Sequence, residues 1–391
     1  MNQAYLVDYA RSAFSRAHPR KPEVDDWAQT RGDELLARLI DHLLKQRGLP
    51  GDAVEDLAIG CALPVKEQWN FGGRYPLWLS QLGNGCATRM IDQQCGSGLA
   101  ALRSVAREIQ VGAAELAMAG GYENMTRVPM GPSLFNEGVL TTPEALTGVP
   151  GLELKVAMNM GLTAERLAKE AGISRDAMDR FALASHQRAD EAERAGYLAD
   201  ERVPLPNGSG DWVRQDANIR ATTTLEKLGT LNPVFVEGGQ ITAGNSSPLT
   251  SGAAAVTLMS EAAVRRYDAT PMARIVGFAE CGVAPEIMGS GAARAIERVL
   301  VQTGLNARQI DAWEINEAFS VVPLYAIEQL GLDASRVNCW GGALALGHPL
   351  GATGIRLAGT LARILEHRQG RYGCAAACIG GGQGIAMILE R

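Results

Sequence analysis

Three short segments, far apart in the chain, each hold a reactive side chain in a glycine-rich stretch. They read Asp92-Gln-Gln-Cys95-Gly-Ser-Gly-Leu-Ala-Ala, Gly342-Ala-Leu-Ala-Leu-Gly-His348-Pro-Leu-Gly-Ala-Thr-Gly354 and Cys378-Ile-Gly-Gly-Gly-Gln-Gly384. A thiol can accept an acyl group, an imidazole can move its proton, and a second thiol can act as an acid or base. This combination of side chains indicates acyl-thioester chemistry.

Cys95 directly precedes a predicted helix that would bury one apolar stripe. The stripe consists of Leu99, Leu102, Val105, Ala106 and Ile109. A thiol at a helix N-terminus lies at the positive end of the helix dipole, so we expect a lowered pKa and a thiolate. Taken alone, a cysteine in this position is more often a buried structural residue. The two other segments favour a nucleophile.

His348 lies between Gly347 and Pro349, in a turn that would hold the ring in one orientation. A fixed imidazole suits an acid/base group or an oxyanion donor. The other four histidines, at positions 18, 42, 186 and 367, lie in polar or helical surroundings and are expected to be solvated. Cys378 ends a strand of small residues, and the glycines after it can present backbone N–H groups to an anion.

Two other interpretations of these motifs fail. The run Gly380-Gly-Gly-Gln-Gly is followed by an apolar strand, whereas a dinucleotide-binding loop needs a helix there. Cys374 and Cys378 could suggest zinc, but four clustered ligands are not evident, and we expect Cys374 to face the other side of its strand. We therefore predict no metal site.

Composition places the chain among ordinary globular proteins of two to three domains. Its 391 residues are 46% hydrophobic and 20% charged. A net charge of −6 argues against nucleic-acid binding, and no apolar run approaches the length of a membrane span. The start resembles no signal peptide, and the end carries no peroxisomal address. Seven scattered cysteines argue against a disulfide framework and favour the cytoplasm.

Strand-like and helical patterns alternate, which predicts an α/β fold with helices on the faces of a largely parallel sheet. A faint internal repeat is present. The helix opened by Cys95-Gly-Ser-Gly-Leu precedes a strand ending in Ala119-Gly-Gly, and Gly351-Ala-Thr-Gly-Ile precedes a strand ending in Ile379-Gly-Gly. Two similar halves meeting face to face would bring Cys95 near His348 and Cys378.

Residues 125–245 differ in composition and are predicted to form an inserted lid.

The chain resembles the thiolase family over nearly its whole length. Beyond the three segments, the resemblance rests on Ala119-Gly-Gly-Tyr-Glu-Asn-Met, Met160-Gly-Leu-Thr-Ala-Glu, Thr242-Ala-Gly-Asn-Ser-Ser, Met288-Gly-Ser-Gly and Glu314-Ile-Asn316-Glu-Ala-Phe319. It implies two similar α/β halves in a five-layer αβαβα arrangement with an inserted lid. The expected division is 1–124 with 246–262 for the N-terminal half, 125–245 for the lid and 263–391 for the C-terminal half.

The resemblance also implies residue roles. Cys95 would be the acyl-accepting nucleophile, activated by His348, and Cys378 would exchange a proton with the α-carbon of acetyl-CoA. Asn316 would hold a water that forms one oxyanion hole with Nε2 of His348. Backbone N–H groups of Cys95 and Gly380 would form the second hole. The expected CoA and acyl contacts are Met160, Arg220, Ala243, Ser247, Met288, Ala318 and Phe319, although Arg220 could also be a solvated surface charge.

The implied activity is CoA-dependent cleavage of a 3-ketoacyl-CoA, with CoA as co-substrate and no tightly bound cofactor. The resemblance also implies a homodimer or homotetramer, and a partner subunit of a fatty-acid oxidation complex is a further expectation. Asn159, where short-chain biosynthetic relatives often have His, and Gln383 favour a degradative role over biosynthetic acetoacetyl-CoA formation. Ala292, Lys227, Trp340 and the segment Gln68-Trp-Asn-Phe-Gly-Gly-Arg-Tyr-Pro-Leu-Trp also depart from the family pattern.

Three further alternatives remain open. A decarboxylating ketoacyl synthase or a hydroxymethylglutaryl-type synthase would carry His or Glu where this chain has Cys378. A non-enzymatic thiolase-like carrier would lack a catalytic residue, whereas all four family positions are present. A cysteine hydrolase would not need a second thiol in the site.

Overall fold

A computed structural model describes residues 2–391, which form a mixed α/β structure. The strands are β1 Ala4–Arg11, β2 Ser15–Arg16, β3 Asp56–Gly60, β4 Ala87–Ile91, β5 Leu116–Asn124, β6 Leu205–Pro206, β7 Trp212–Val213, β8 Thr250–Ser260, β9 Ala273–Gly282, β10 Ala312–Ile315, β11 Tyr372–Ile379 and β12 Gln383–Glu390. The helices are α1 Gly32–Arg47, α2 Arg74–Leu79, α3 Ser97–Val111, α4 Pro132–Asn136, α5 Leu154–Ala157, α6 Met160–Ala171, α7 Arg175–Arg194, α8 Leu225–Gly229, α9 Glu261–Arg266, α10 Gly291–Thr303, α11 Val321–Leu330, α12 Ala343–Leu346 and α13 Leu350–Arg368.

Two halves with the same strand pattern make up the main sheet. In the N-terminal half, β1 pairs antiparallel with β8, β8 antiparallel with β5, and β5 parallel with β3. In the C-terminal half, β9, β12, β11 and β10 repeat this order and these directions. The two halves join where β1 pairs with β9 over two residues. The internal repeat predicted from the sequence is therefore present as a topological repeat. The expectation of a largely parallel sheet is wrong, because six of the nine strand pairings in the main sheet are antiparallel.

Helices and sheets stack in five layers, as predicted. Helix α1 packs on the outer face of the N-terminal half, and α10 packs on the outer face of the C-terminal half. Between the two halves of the main sheet lie α3 and α13, whose apolar side chains form the central core with residues from both halves. All five residues of the stripe predicted on α3 are buried. The central layer is important for function because both helices begin at chemistry-bearing residues.

Helices α3 and α13 meet backbone to backbone at Gly98 and Gly354. A Cβ atom on Gly354 would lie 2.1 Å from the backbone nitrogen of Leu99, and one on Gly98 would lie 2.7 Å from the Gly351 carbonyl oxygen. Only glycine permits this approach. The close crossing brings the N-terminal turns of both helices together, and with them Cys95 and His348.

The segment between β5 and β8 carries the helices α4 to α8, of which α6 and α7 are long, and the small β6–β7 hairpin. Helix α6 packs on the turn Pro285–Ser290, and α7 packs on α12, so this segment covers the C-terminal half. Both long helices begin with a side-chain N-cap, Asn159 for α6 and Ser174 for α7. The residue bounds proposed for the lid remain a prediction.

The structure tests two further expectations, one about the direction of two cysteine side chains and one about membrane-spanning helices. Cys374 and Cys378 face the same side of β11, in the core beneath α10, because residues four apart in a strand share a face. The expectation that they face opposite sides is wrong. Among residues 2–391, no helix is long and apolar enough to cross a membrane.

Candidate active site

Cys95 lies in a 3₁₀ turn, Gln94–Gly96, that connects β4 to the first turn of α3. Gln94 adopts a φ of 46°, a left-handed conformation that is uncommon for residues other than glycine. The turn is held by Ser97, whose Oγ accepts from the Gln93 N–H at 2.9 Å and donates to the Gln94 carbonyl at 2.7 Å. Backbone strain beside a reactive residue is typical of catalytic turns.

The expectation of a ready-made thiolate at Cys95 is wrong. Burial raises the pKa of Cys95 to about 11, although N–H groups of Gly380 and of Cys95 itself act in the opposite direction. Desolvation outweighs the helix terminus because the side chain is only 7% exposed. The resting residue is therefore a neutral thiol that needs a base. The same two N–H groups are those predicted to form the second oxyanion hole.

His348 is held by its backbone and by one ring nitrogen. Its N–H donates to Thr250 Oγ1 at 3.0 Å, and its Nδ1 lies 2.6 Å from Thr353 Oγ1 in α13. The Thr353 hydroxyl donates its single hydrogen to the Pro349 carbonyl at 3.0 Å. We infer that Nδ1 carries the ring proton and that Nε2 is left as the free base.

Asn316 faces this free nitrogen. The Asn316 Nδ2 atom lies 3.2 Å from His348 Nε2, and the Asn316 N–H donates to the Ala376 carbonyl at 2.8 Å, which continues the β10–β11 pairing by one residue. Burial, and secondly the charge of Arg356, lower the pKa of His348 to about 3. The imidazole is therefore neutral at physiological pH, with Nε2 unprotonated. The Asn316 Oδ1 atom is buried without a partner among the described residues.

Cys378 lies near the end of β11 and is completely buried. Burial, and secondly the negative charge of an ionised Cys95, raise the pKa of its thiol. A Cβ atom on Gly96 would lie 2.4 Å from Ile379 Cδ1, so the fold brings the neighbours of Cys95 and Cys378 into contact although the two cysteines are far apart in sequence. A neutral thiol at this point can donate a proton to a developing carbanion.

Several predicted substrate contacts gather beside Cys378. Met288, Ala318 and Phe319 share its apolar cluster, and Met160 packs against the same cluster. A Cβ atom on Gly380 would lie 3.2 Å from Met160 Sδ, which places Met160 over the glycine turn. The Ser247 N–H donates to the Ala318 carbonyl at 3.0 Å, so Ser247 borders this group.

The other two predicted contacts lie farther out. Ala243 is exposed on the loop before β8. Arg220 reaches solvent, and partial burial together with the nearby charge of Arg16 lowers its pKa. Two neighbouring guanidinium groups provide a positive region that suits phosphate.

Two residues outside the core chemistry have roles that the sequence did not indicate, and one of them, His186, contradicts its expectation. His186 is buried, not solvated: its Nδ1 accepts from the Arg220 N–H at 3.2 Å, and burial lowers its pKa to about 4. Asn159 uses its side-chain oxygen to cap α6, accepting from the N–H groups of Gly161 and Leu162 at 3.1 and 3.2 Å. Helix capping therefore explains why asparagine is suitable at this position.

Sequence reasoning missed the buried carboxylates that join the catalytic loops. Glu123 accepts from the N–H groups of Ala62 and Gly351, both at 3.0 Å, and from Gln68 Nε2 at 2.7 Å. Glu317 accepts from Ser185 Oγ and Asn338 Nδ2, both at 2.7 Å, and from the Leu344 N–H at 3.1 Å. The sequence did contain a signal for these two residues, because an acidic residue inside an apolar stretch indicates a buried carboxylate.

Two family models match consecutive parts of the chain. The thiolase N-terminal domain matches residues 9–262, and the thiolase C-terminal domain matches residues 269–391. The chain belongs to the thiolase family. This result agrees with the resemblance drawn from the sequence motifs.

Thiolases of several organisms resemble the chain over its full length. A 3-ketoacyl-CoA thiolase of Cronobacter sakazakii is 38% identical over 400 residues and one of Bacillus subtilis is 37% identical over 402, with complete coverage of both chains in each case. A 3-oxoadipyl-CoA/3-oxo-5,6-dehydrosuberyl-CoA thiolase of Escherichia coli strain K12 is 38% identical over 406 residues, again with complete coverage.

The thiolase fold is also matched by a solved structure. Human mitochondrial 3-ketoacyl-CoA thiolase in complex with CoA superposes with a TM-score of 0.88 and 33% identity, covering 100% of this chain and 98% of the human chain. The predicted fold class is therefore confirmed.

Proposed function

We propose that this thiolase cleaves 3-ketoacyl-CoA with CoA, giving acetyl-CoA and a shortened acyl-CoA through an acyl group on Cys95. The observation that carries the proposal is geometric: the turn of Cys95 packs against Ile379, next to Cys378, and α3 meets the first turn of α13, next to the 3.2 Å contact of His348 with Asn316. Full-length thiolase relatives support the same reaction.

The first step is nucleophilic attack by Cys95. Nε2 of His348 takes the thiol proton as the sulfur bonds to the keto carbon, so a thiolate never has to exist in the buried resting state. The oxygen of the resulting tetrahedral carbon accepts hydrogen bonds from the N–H groups of Cys95 and Gly380. Each such donor contributes about 3 kcal/mol to stabilising the transition state.

Carbon–carbon cleavage follows. The bond between the keto carbon and the α-carbon breaks, and the acyl group stays on Cys95. The electron pair of the broken bond moves to the α-carbon and forms the enolate of acetyl-CoA. The protonated Nε2 of His348 and a water on Asn316 Oδ1 stabilise the thioester oxygen. The unpartnered buried Oδ1 supports this role for Asn316, since it can accept a hydrogen bond from water.

Two proton transfers by Cys378 complete the cycle. Its thiol first donates a proton to the α-carbon, which releases acetyl-CoA and leaves a thiolate. That thiolate then takes the proton of incoming CoA, whose sulfur attacks the acyl group on Cys95 while His348 returns its proton to the departing cysteine. The site is thereby restored, and the reverse sequence is a Claisen condensation.

CoA is the proposed co-substrate, and the human relative described above is in complex with CoA. We place the pantetheine arm and acyl chain along Met160, Met288, Ala318, Phe319 and Ser247. We place the nucleotide phosphates near Arg220 and Arg16, with Ala243 at the rim. The proposal includes no metal and no tightly bound cofactor.

Thiolysis over a series of 3-ketoacyl-CoA chain lengths tests the function. We expect cleavage to exceed acetoacetyl-CoA synthesis, with kcat/KM rising beyond the four-carbon substrate. A preference for condensing two acetyl-CoA molecules would favour the biosynthetic alternative, and acyl-CoA binding without turnover would favour the non-enzymatic one. Carbon dioxide release from a malonyl thioester would favour a decarboxylating synthase.

We further propose a homodimer or homotetramer. An aromatic patch formed by Trp69, Phe71 and Trp78, together with the neighbouring Leu79, is exposed on and just before α2, with each residue between 50 and 56% exposed, and α2 packs beside β4. Strand β4 ends the sheet and leaves one edge of its backbone unpaired. A second copy could cover both features. A fatty-acid oxidation partner and a cytoplasmic location remain predictions from the sequence.

Light scattering tests the assembly. We expect the mass of at least two chains, and we expect the Trp78→Asp variant to shift toward the monomer because it places a charge in the aromatic patch. The Val111→Asp change provides a matched control, since Val111 is 71% exposed at the end of α3. A wild-type monomer would contradict the proposal.

A further inference from the structure

An ion pair between Arg356 and Glu314 lies in the interior of the molecule, between α13 and β10. Their side chains are 1% and 0% exposed, and Arg356 Nη1 donates to Glu314 Oε2. Arg356 Nε and Nη2 and Glu314 Oε1 have no partner among the described residues. A buried ion pair with so few hydrogen bonds is an inefficient source of stability, because desolvation offsets the charge attraction. Another role would explain its presence better.

The pair lies directly behind the catalytic contact. Glu314 comes two residues before Asn316 at the end of β10. Arg356 comes three residues after Thr353, so both lie on one face of α13. Thr353 holds Nδ1 of His348 at 2.6 Å, whereas Asn316 faces Nε2 at 3.2 Å. The ion pair therefore links α13, whose Thr353 holds His348, to β10, which Asn316 directly follows.

We propose that Arg356 and Glu314 are positioning residues, which fix α13 against β10 so that Nε2 of His348 faces Asn316 and the Cys95 thiol. This inference rests on the proposed function, since it concerns the same site. Neither residue touches the substrate. Their positioning effect passes through Thr353 to the imidazole and along the backbone of β10 to the Asn316 amide. The charge of Arg356 also acts on His348 directly, since it lowers the pKa of the imidazole.

The double variant Arg356→Met/Glu314→Gln is the main test. Both charges are removed together, so no unpaired charge is left buried and the fold is expected to survive. A displacement of the imidazole of about 1 Å lowers kcat by about 100-fold, while KM for 3-ketoacyl-CoA changes by no more than about twofold. Alkylation of Cys95 by iodoacetamide slows by about tenfold, because the base no longer faces the thiol. Arg356→Lys, which keeps the charge, is expected to restore most of both rates.

Glu201→Gln is the matched control. Glu201 is also buried and accepts from Arg11 Nε at 2.6 Å and from Thr360 Oγ1 at 2.8 Å, so it contacts the same helix farther from His348. We expect this variant to keep kcat and the alkylation rate within about threefold of wild type, with circular dichroism verifying the fold of both variants.

Two results would overturn the positioning role. One is a folded double variant with wild-type kcat and wild-type alkylation of Cys95. The other is an equal loss in Glu201→Gln, which would indicate a general packing effect. Alkylation needs no acyl-CoA, so it tests the positioning role even if wild-type protein shows no thiolysis. Absence of thiolysis in the wild type would refute the proposed function alone.

Discussion

Replacing Cys95 by alanine is expected to lower kcat/KM for thiolysis of 3-ketoacyl-CoA by about 10⁴-fold or more. The expected loss is large because the acyl group would have no nucleophile to bond to, and the remaining donors can only bind the substrate. KM and CoA binding should change little, since the side chain is small and the turn is held by Ser97. Steady-state thiolysis with a CoA-binding measurement checks both parts.

Cys86→Ala provides the matched control for this variant. Cys86 is also a buried free cysteine, but it lies in the outer core beneath α1. Its variant should keep kcat/KM within about threefold of wild type. Retention of thiolysis in Cys95→Ala would remove the basis of the covalent mechanism.

Replacing Cys378 by alanine is expected to separate proton transfer from acyl transfer. Thiolysis should fall by about 10³-fold, the typical contribution of a positioned acid/base group. Exchange of deuterium from solvent into the methyl group of acetyl-CoA should be lost, because no group remains to remove the α-proton. Acylation of Cys95 by acyl-CoA should still occur, since the nucleophile and His348 are intact. Mass spectrometry of acetyl-CoA and of the protein measures both.

Cys374→Ala tests whether any buried thiol of β11 would have the same effect. Cys374 lies four residues earlier on the same face of the strand and is equally buried. Its variant should exchange deuterium at the wild-type rate. Normal exchange in Cys378→Ala, or its loss in Cys374→Ala, would argue against the acid/base role assigned to Cys378.

The reactive residues could be found from the sequence because each lies in a short segment with a distinctive composition. Cys95, His348 and Cys378 stand beside glycines that allow close backbone approach, and the repeat predicted that the two halves would face each other. The contact of Gly98 with Gly354 shows why those glycines are needed. Local composition was therefore sufficient for these positions.

The ionisation of Cys95 could not be predicted in the same way. Its position at a helix N-terminus suggested a thiolate, but burial outweighs that effect in the folded chain. Burial depends on Ala62, Met125 and Leu350, which come from three distant parts of the sequence. The position of a residue in the sequence indicates whether a helix terminus raises or lowers its pKa. The effect of burial on the same pKa can be judged only from the packed structure.

The buried charges were missed for a similar reason. Glu123, Glu317 and Arg356 acquire their meaning only from partners far away in sequence. Glu123 reaches Gly351 across 228 residues, and Arg356 reaches Glu314 across 42. Such pairings follow from the sheet order and helix packing, which a single sequence does not specify residue by residue.

The most direct measurement is the mass of the protein quenched during the reaction. With a 3-ketoacyl-CoA substrate and limiting CoA, the chain should gain the mass of the shortened acyl group, and peptide mapping should place that group on Cys95. The adduct should disappear when CoA is added, with release of the shortened acyl-CoA. Turnover without an adduct, or an adduct on Cys378 instead of Cys95, would contradict the mechanism.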